Sequence, residues 1–156
     1  RQELLSVPTV AGTKYTAPNM YEMEQIIRLG HIEQRRFGWT VFSGMDEQCI
    51  FAAMFGANGN IGSTLNFMPG VYKAIHHWLA DGQIERARDL QMKANLVTEA
   101  AISVGFMGAL YEMVRMLGYD CGDPRLPNLP LTPAQRDDLH QKLDALNWIE
   151  VTGKVL

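Results

Sequence analysis

The sequence of 156 residues is poor in cysteine, in excess charge of either sign and in long apolar runs. Its two cysteines, Cys49 and Cys121, form no CxxC pair and suit a reducing cytosol better than a disulfide framework. A single disulfide bond between them remains the alternative. Lys and Arg number 14 against 17 Asp and Glu, so the basic excess typical of nucleic-acid-binding domains is missing. The longest largely apolar run, from Cys49 to Ala57, is well short of the ~20 residues of a membrane span. We therefore expect a cytoplasmic protein whose partners are neither nucleic acid nor a membrane.

The overall composition is that of one folded domain. Hydrophobic residues make up 47% of the chain and the net charge is only -3, which excludes disorder as the main state. The chain starts Arg-Gln-Glu-Leu-Leu rather than with Met, a pattern typical of the last turns of a helix already under way. We therefore expect the chain to be a piece of a longer protein.

The first 80 residues alternate between strand and helix patterns. The predicted strands cover residues 7–15, 39–43 and, very short, part of 56–62. The predicted helices cover residues 19–36 with Asn19 as N-cap, 47–55 as a short buried helix, and 63–80 with Ser63 or Thr64 as cap.

From residue 81 onward the pattern is helical, apart from a proline-rich crossing at 118–130. Apolar residues three or four apart mark the buried faces of three helices. They are Ile84, Ala87, Leu90, Ala94, Val97 and Ala101; Phe106, Leu110, Met113, Val114 and Leu117; and Leu139, Leu143 and Leu146. The segment Thr132-Pro133-Ala134-Gln135 is a capping box with proline at the first helical position, which starts the last helix.

This element order predicts an α/β protein. Alternation implies parallel strands joined by crossover helices, and a sheet of three short parallel strands leaves two edges unprotected. Alternating units followed by extra helices suit the C-terminal half of a (β/α)8 TIM barrel with a C-terminal helical extension. We assign residues 1–80 to the barrel units and 81–156 to the extension packed on them.

Two features at the ends of predicted strands are candidates for chemistry, because the C-terminal ends of barrel strands carry active sites. Lys14 is either a solvated surface lysine or, if burial lowers its pKa, a nucleophilic amine. Asp46 and Glu47 follow the second strand, where carboxylates either cap a helix start or accept hydrogen bonds from substrate hydroxyls.

The glycine-punctuated segment 56–64 admits two interpretations. Glycines every third position let a backbone pass close to a ligand. The pattern Ala57-x-Gly59-x-x-Gly62 also approximates a dinucleotide-binding motif, with Asp81 nineteen residues further on. The helical appearance of the preceding residues speaks against that second interpretation, since the motif requires a strand there.

The histidines indicate no metal site. His76 and His77 are adjacent, so on a helix they point about 100° apart and cannot face one ion together. His31 and His140 have no partners at ligand spacing. We expect neither a metal nor an organic cofactor.

Three blocks of the sequence together resemble the N-acetylneuraminate lyase subgroup of the dihydrodipicolinate synthase-like aldolases. They are Gly12-Thr13-Lys14-Tyr15-Thr16, Gly44-Met45-Asp46-Glu47 and the segment from Gly56 to Thr64 that ends Gly62-Ser63-Thr64. The resemblance covers nearly the whole chain and the second half of the family's fold. It implies strands six to eight of a (β/α)8 barrel, with Lys14 at the end of the sixth.

The resemblance also implies an activity. Lys14 would form a Schiff base with the ketone of N-acetylneuraminate (sialic acid), and cleavage would give pyruvate and N-acetylmannosamine. The implied contacts to the sugar tail are Gly44, Asp46, Glu47 and Ser63, and those at the pyruvate end are Thr16, Ile61 and Gly62. A homotetramer is also implied.

The family's catalytic tyrosine and its Ser/Thr pair for the pyruvate carboxylate come from strands that precede this chain. We therefore expect activity only with the missing N-terminal half. Two alternatives remain: an aldolase or dehydratase of the same family acting on another 2-keto sugar acid, and a non-catalytic barrel fragment kept for assembly.

Overall fold

The computed structural model describes residues 7–37 and 39–148, without the side chains of 31–37. The predicted helix end at residues 1–5 lies outside this part of the chain.

Three short strands form one parallel sheet in the order β1-β2-β3, which confirms the predicted α/β class. They are β1 (Gly12–Tyr15), β2 (Thr40–Ser43) and β3 (Gly59–Asn60). The register pairs Lys14 with Phe42 and Phe42 with Gly59. The first strand is shorter than predicted, because residues 7–10 form a turn in which the Val10 N–H donates to the Val7 carbonyl at 3.1 Å.

Six helices accompany the sheet in the described residues. They are α1 (Met20–Phe37), α2 (Cys49–Met54), α3 (Pro69–Ala80), α4 (Ile84–Val104), α5 (Phe106–Met116) and α6 (Pro133–Ala145). Two single 3-10 turns, Asp46–Gln48 and Thr64–Asn66, precede α2 and α3. The proline-rich crossing between α5 and α6 is irregular, as predicted.

Two of the predicted helix starts are confirmed by their caps. The Asn19 side-chain oxygen accepts a hydrogen bond from the Glu22 N–H at 3.1 Å. Thr132 and Gln135 form a reciprocal capping box at the start of α6. The predicted cap at Ser63 or Thr64 is wrong, because a 3-10 turn intervenes and α3 begins only at Pro69.

The helix predicted at 47–55 is shorter and less buried than expected. In α2, Cys49 and Ala52 are buried whereas Phe51 and Met54 are exposed. A helix of this length packs one side against the core and turns the other outward.

The interior consists of two apolar clusters. The smaller lies between α1 and the sheet and contains Met23, Ile27, Trp39, Val41 and Ala52. The larger runs from Cys49 to Trp148 and includes Val71, Leu139 and Leu143. Ile84, predicted in the buried stripe of α4, is exposed at the start of that helix, where the packing begins. The assignment of 1–80 and 81–156 to separate units stays a prediction.

In the described part of the chain, no single helix has the length and apolar composition of a membrane span. Only α4 and α5 taken together pass such a test, and a bend of 119° separates them. Both cysteines are free; Cys49 is buried and Cys121 is exposed.

Candidate active site

The candidate site lies at the edge of the sheet where all three parallel strands end. Thr16 follows β1, Gly44 follows β2 and Ile61 follows β3. The Gly44 N–H donates to the Tyr15 carbonyl at 2.8 Å, and the Ile61 N–H donates to the Ser43 carbonyl at 2.8 Å. These bonds extend the ladder beyond the strands and bring residues from three distant segments side by side.

Lys14 lies on the face of the sheet away from α1. Side chains alternate along a strand, and Val41, adjacent to the Lys14 partner Phe42, belongs to the cluster packed on α1. The Lys14 side chain runs toward Gly44, where its Cε lies 2.5 Å from the position that a Cβ would take. The Thr16 hydroxyl also touches that position. Gly44 therefore lets Lys14 and Thr16 meet above the strand ends.

The amine is not enclosed by the described part of the chain. Lys14 is exposed. The expectation of a desolvated lysine is therefore not met by these residues alone, because a three-stranded sheet provides only one side of a pocket.

Asp46 is buried, with 4% of its surface exposed. Its Oδ2 accepts hydrogen bonds from the Thr64 N–H at 2.9 Å and from the Thr64 hydroxyl at 2.7 Å. The carboxylate also lies against the Cα of Gly62, since a Cβ there would overlap both of its oxygens. Oδ1 has no hydrogen-bond partner among the described residues. A buried carboxylate oxygen is costly to leave unpaired, so Oδ1 calls for a donor that the described residues do not provide.

Glu47 and Ser63 complete the polar surface of this edge. Glu47 is half-buried, and none of the described residues pairs with its carboxylate. The Glu47 carbonyl accepts a hydrogen bond from the Asn95 side chain at 3.1 Å. Ser63 is exposed directly beside Gly62.

A second polar cluster lies behind the glycine segment. The Cys49 thiol donates to the Asn60 side-chain oxygen at 3.2 Å, and His76 Nε2 lies 2.7 Å from the same oxygen. Burial, reinforced by the charge of Asp46, raises the pKa of Cys49 to about 12. Because the thiol stays protonated, Cys49 is not a nucleophile. Burial also lowers the pKa of His76.

Sequence reasoning missed the residues that hold Asp46 and Glu47 in place. Thr64 binds the Asp46 carboxylate, and the Tyr72 hydroxyl lies 2.7 Å from Thr64 Oγ1. Because the one Thr64 hydroxyl proton goes to Asp46, Tyr72 is the donor in the second bond. Gln91 and Asn95 reach the same turn from α4. The signal available in the sequence was the placement of polar residues beside the apolar stripe of that helix.

The dinucleotide-binding interpretation of the glycine segment is wrong. The residues before it form the helix α2, where that motif requires a strand. No helix starts at Gly62 either, because α3 begins at Pro69.

Comparisons with known proteins agree on one family. Residues 1–146 match the Dihydrodipicolinate synthetase family. The chain is 34% identical over 153 residues to the N-acetylneuraminate lyase of Rhizobium meliloti (strain 1021), covering 97% of this chain and 49% of that protein.

Solved structures of similar proteins share the fold. A variant of the Sulfolobus solfataricus 2-keto-3-deoxygluconate aldolase, in complex with L-2-keto, 3-deoxy-galactonate, aligns with a TM-score of 0.82 at 28% identity. That alignment covers 94% of this chain and 48% of the aldolase. The Fusobacterium nucleatum N-acetylneuraminate lyase complexed with pyruvate aligns with a TM-score of 0.80 at 25% identity, over 93% of this chain and 47% of the lyase.

The chain thus spans about half the length of the relatives that it matches. The family match extends through nearly all of its residues, and the parallel sheet and its helices superpose on those of the aldolases. The chain belongs to the Dihydrodipicolinate synthetase family.

Proposed function

We propose that this chain is part of a carbon–carbon lyase that cleaves a 2-keto sugar acid through a Schiff base on Lys14. The observation that carries the proposal is the position of Lys14 at the carboxyl end of β1, with its side chain directed over Gly44 beside Thr16. The names of the relatives support the same class of reaction, since they are lyases and aldolases of keto sugar acids.

The chemistry follows from a neutral amine. Lys14 Nζ adds to the ketone carbon of the open-chain substrate, and loss of water gives an iminium ion. The bond between the carbons α and β to the imine carbon then breaks. The hydroxyl on the β carbon gives its proton to water or to a basic group of the complete site and becomes the aldehyde carbonyl of the departing product. The electron pair of the broken bond moves toward the iminium, and the pyruvate part remains as an enamine on Lys14. Protonation of the enamine carbon and hydrolysis of the imine release pyruvate and restore the amine.

A neutral amine near pH 7 requires a drier setting than the described residues provide, because desolvation is what disfavours the ammonium form. We propose that the chain forms strands six to eight of a (β/α)8 barrel and that the first half of the barrel closes over Lys14. The coverage of 48% of the aldolase at a TM-score of 0.82 supports this arrangement.

The polar edge suits a polyhydroxylated tail. The Glu47 carboxylate and Asp46 Oδ1 are acceptors without partners in the described residues, and Ser63 offers an exposed hydroxyl. Carboxylates accept hydrogen bonds from several hydroxyls at once, and such charge-assisted bonds are strong. We place the pyruvate end of the substrate at the remaining strand ends, near Thr16, Ile61 and Gly62.

Among the keto sugar acids we propose N-acetylneuraminate, on the strength of the motif Gly44-Met45-Asp46-Glu47 and the 34% identity to a N-acetylneuraminate lyase. A 2-keto-3-deoxy sugar acid is the second candidate, favoured by the structural match to the Sulfolobus aldolase. Comparing kcat/KM for the two substrates separates them, because a site built for the longer tail loses binding energy on the shorter one.

Trapping the Schiff base tests the proposal directly. The complete protein is incubated with pyruvate and borohydride, and the modified peptide is identified by mass spectrometry. We expect a reduced pyruvyl group on Lys14, its loss in Lys14→Ala, and its retention in Lys73→Ala, which changes an exposed lysine on α3. An adduct on another lysine, or none on the complete protein, contradicts the proposal.

A further inference from the structure

Three polar residues interrupt the buried face of α4. Gln91, Asn95 and Thr98 are spaced four and three residues apart, so they lie along one side of the helix. Gln91 is 4% exposed, Thr98 is 1% exposed, and Asn95 is half-buried. We call these three residues the α4 polar stripe. Buried polar side chains are retained at the expense of apolar packing, so their partners indicate what they do.

Gln91 uses both ends of its side-chain amide in hydrogen bonds. Its Nε2 donates to the Asp46 carbonyl at 3.1 Å and to Asn95 Oδ1 at 2.8 Å. Its Oε1 accepts from the Ile50 N–H at 3.0 Å. Ile50 and Asp46 lie more than forty residues away in the sequence. Gln91 therefore ties the first turn of α2 and the 3-10 turn before it to α4.

Asn95 makes an equivalent hydrogen bond to the next residue of the turn, Glu47. While its Oδ1 accepts from Gln91, its Nδ2 donates to the Glu47 carbonyl at 3.1 Å. The two amides thus hold the carbonyls of two consecutive residues, Asp46 and Glu47, whose carboxylates the proposed function assigns to the sugar tail.

Thr98 is connected to Asp46 only indirectly, through Tyr72 and Thr64. Its hydroxyl donates to the Ala94 carbonyl at 3.0 Å. Its side chain lies beside the Tyr72 hydroxyl, which donates to Thr64 Oγ1, and Thr64 binds the Asp46 carboxylate. Burial raises the pKa of Tyr72, so the phenol remains a donor throughout the physiological range. The Asp46 backbone is therefore hydrogen-bonded to α4, and its carboxylate is linked through Thr64 to Tyr72 on α3, beside Thr98.

Of the groups that α4 holds, the Ile50 N–H has no side-chain cap from its own helix, whereas the Asp46 carbonyl also accepts from the Cys49 N–H. Neither the 3-10 turn Asp46–Gln48 nor α2 has a side-chain hydrogen bond from its own N-cap residue. Backbone groups that lack a local cap must find partners elsewhere or pay a desolvation cost. The side chains of α4 therefore supply a partner for the uncapped start of α2 and two further hydrogen bonds to carbonyls of the turn.

We infer that the α4 polar stripe positions Asp46 and Glu47 for the hydroxyl tail of the substrate and so determines sugar specificity without touching the sugar. This inference rests on the proposed function. Lys14 and Thr16 make none of the hydrogen bonds just described, so formation of the pyruvate adduct should not depend on the stripe. Gln91, Asn95 and Thr98 are positioning residues, not catalytic ones.

Asn95 gives the sharpest test because it is half-buried and its change leaves no large cavity. In the complete protein, Asn95→Leu removes the donor to the Glu47 carbonyl. We expect kcat/KM for cleavage of N-acetylneuraminate to fall about tenfold, mainly through KM, which is the scale of one lost hydrogen bond. Adduct formation on Lys14 with pyruvate and borohydride should be little changed. Asn95→Asp, which also lacks the donor but keeps the size, should behave alike, and Lys93→Gln on the exposed face of α4 should change neither reaction.

A double-mutant cycle with Glu47→Gln distinguishes positioning from a general structural effect. If Asn95 acts through Glu47, the double variant loses about as much cleavage activity as the worse single variant. Multiplicative losses, or equal losses in cleavage and in adduct formation, overturn the inference. A complete protein that cleaves a keto sugar acid but ignores Asn95→Leu overturns it as well. If the unaltered protein forms no pyruvate adduct, the proposed function fails first and the inference fails with it.

Discussion

Asp46 and Thr64, eighteen residues apart in the sequence, are joined by two hydrogen bonds to one carboxylate oxygen, at 2.9 Å from the Thr64 N–H and 2.7 Å from its hydroxyl. The pair joins the turn after β2 to the end of the glycine segment, which follows β3. The two motifs that suggested the function are therefore parts of one rigid edge, and the position of each depends on the other.

Removing the Asp46 carboxylate should destabilise the protein, whereas removing that of Glu47 should not. Asp46→Ala leaves the buried Thr64 N–H and hydroxyl without an acceptor, which we expect to lower the free energy of unfolding by about 3 kcal/mol. Asp46→Asn keeps an acceptor oxygen and should lose less. Urea denaturation measures both. Glu47→Ala is the matched control, expected to stay within about 0.5 kcal/mol because no described residue pairs with its carboxylate. Equal losses for Asp46→Ala and Glu47→Ala would contradict the assignment of Asp46 as the residue that joins the two segments.

A side chain at Gly62 should displace the Asp46 carboxylate. The Cβ of Gly62→Ala would overlap both carboxylate oxygens. Thr64 fixes Oδ2, and Oδ1 cannot move independently of Oδ2 because the carboxylate is a rigid planar group. We expect a loss of about 2 kcal/mol in unfolding free energy and a lower melting temperature, as overpacking of a tight site produces. Gly59→Ala is the control, since its Cβ would meet the Phe42 ring at an ordinary 3.6 Å. A Gly62→Ala protein as stable as Gly59→Ala would show that the edge is not rigid.

Stability should fall on mild acidification because of His76. Burial lowers the pKa of His76 in the folded protein, so the unfolded chain binds the proton more tightly. The stabilisation is complete above the unfolded pKa of about 6.5 and decreases as pH falls below it toward the lower folded pKa. Thermal unfolding at a series of pH values should show this slope. It should be reduced in His76→Gln and kept in His77→Gln, which changes the exposed neighbour.

Glu112 affects the pH dependence of stability in a lower pH range than His76. Burial alone would raise its pKa, but hydrogen bonds from His140 and Arg115 and the charge of Arg136 outweigh burial and lower it. Its contribution is present above the ordinary carboxyl range and is lost only as pH falls through the lower folded pKa. A slope between pH 6.5 and 5 that is as steep in His76→Gln as in the unaltered protein would contradict the role assigned to His76.

Local patterns predicted much of the fold. The Asn19 cap, the capping box at Thr132, the parallel strands and the buried face of α6 follow from residue spacing and side-chain chemistry, which act over a few residues. The start of α3 was misplaced because Thr64 bonds to Asp46 instead of capping a helix. The preference of a threonine for helix caps is weaker than a long-range bond to a buried carboxylate.

The meeting of the strand ends was predicted from the sequence, but the contacts that support them were not. Parallel strands end at one edge, so Lys14, Gly44 and Ile61 follow from the order of the elements. The connections from Gln91 and Asn95 to the turn span more than forty residues, and no spacing rule reports such distances.

The sequence by itself determined the residue types of the site, the alternation of strands and helices, and the caps, because each depends on neighbours within one or two turns of chain. Only the tertiary structure decided that Asp46 is buried against Gly62 and Thr64, and that α4 holds the turn that carries both carboxylates. The physical reason is that buried polar groups take whichever partner the packing of distant elements brings within hydrogen-bonding distance.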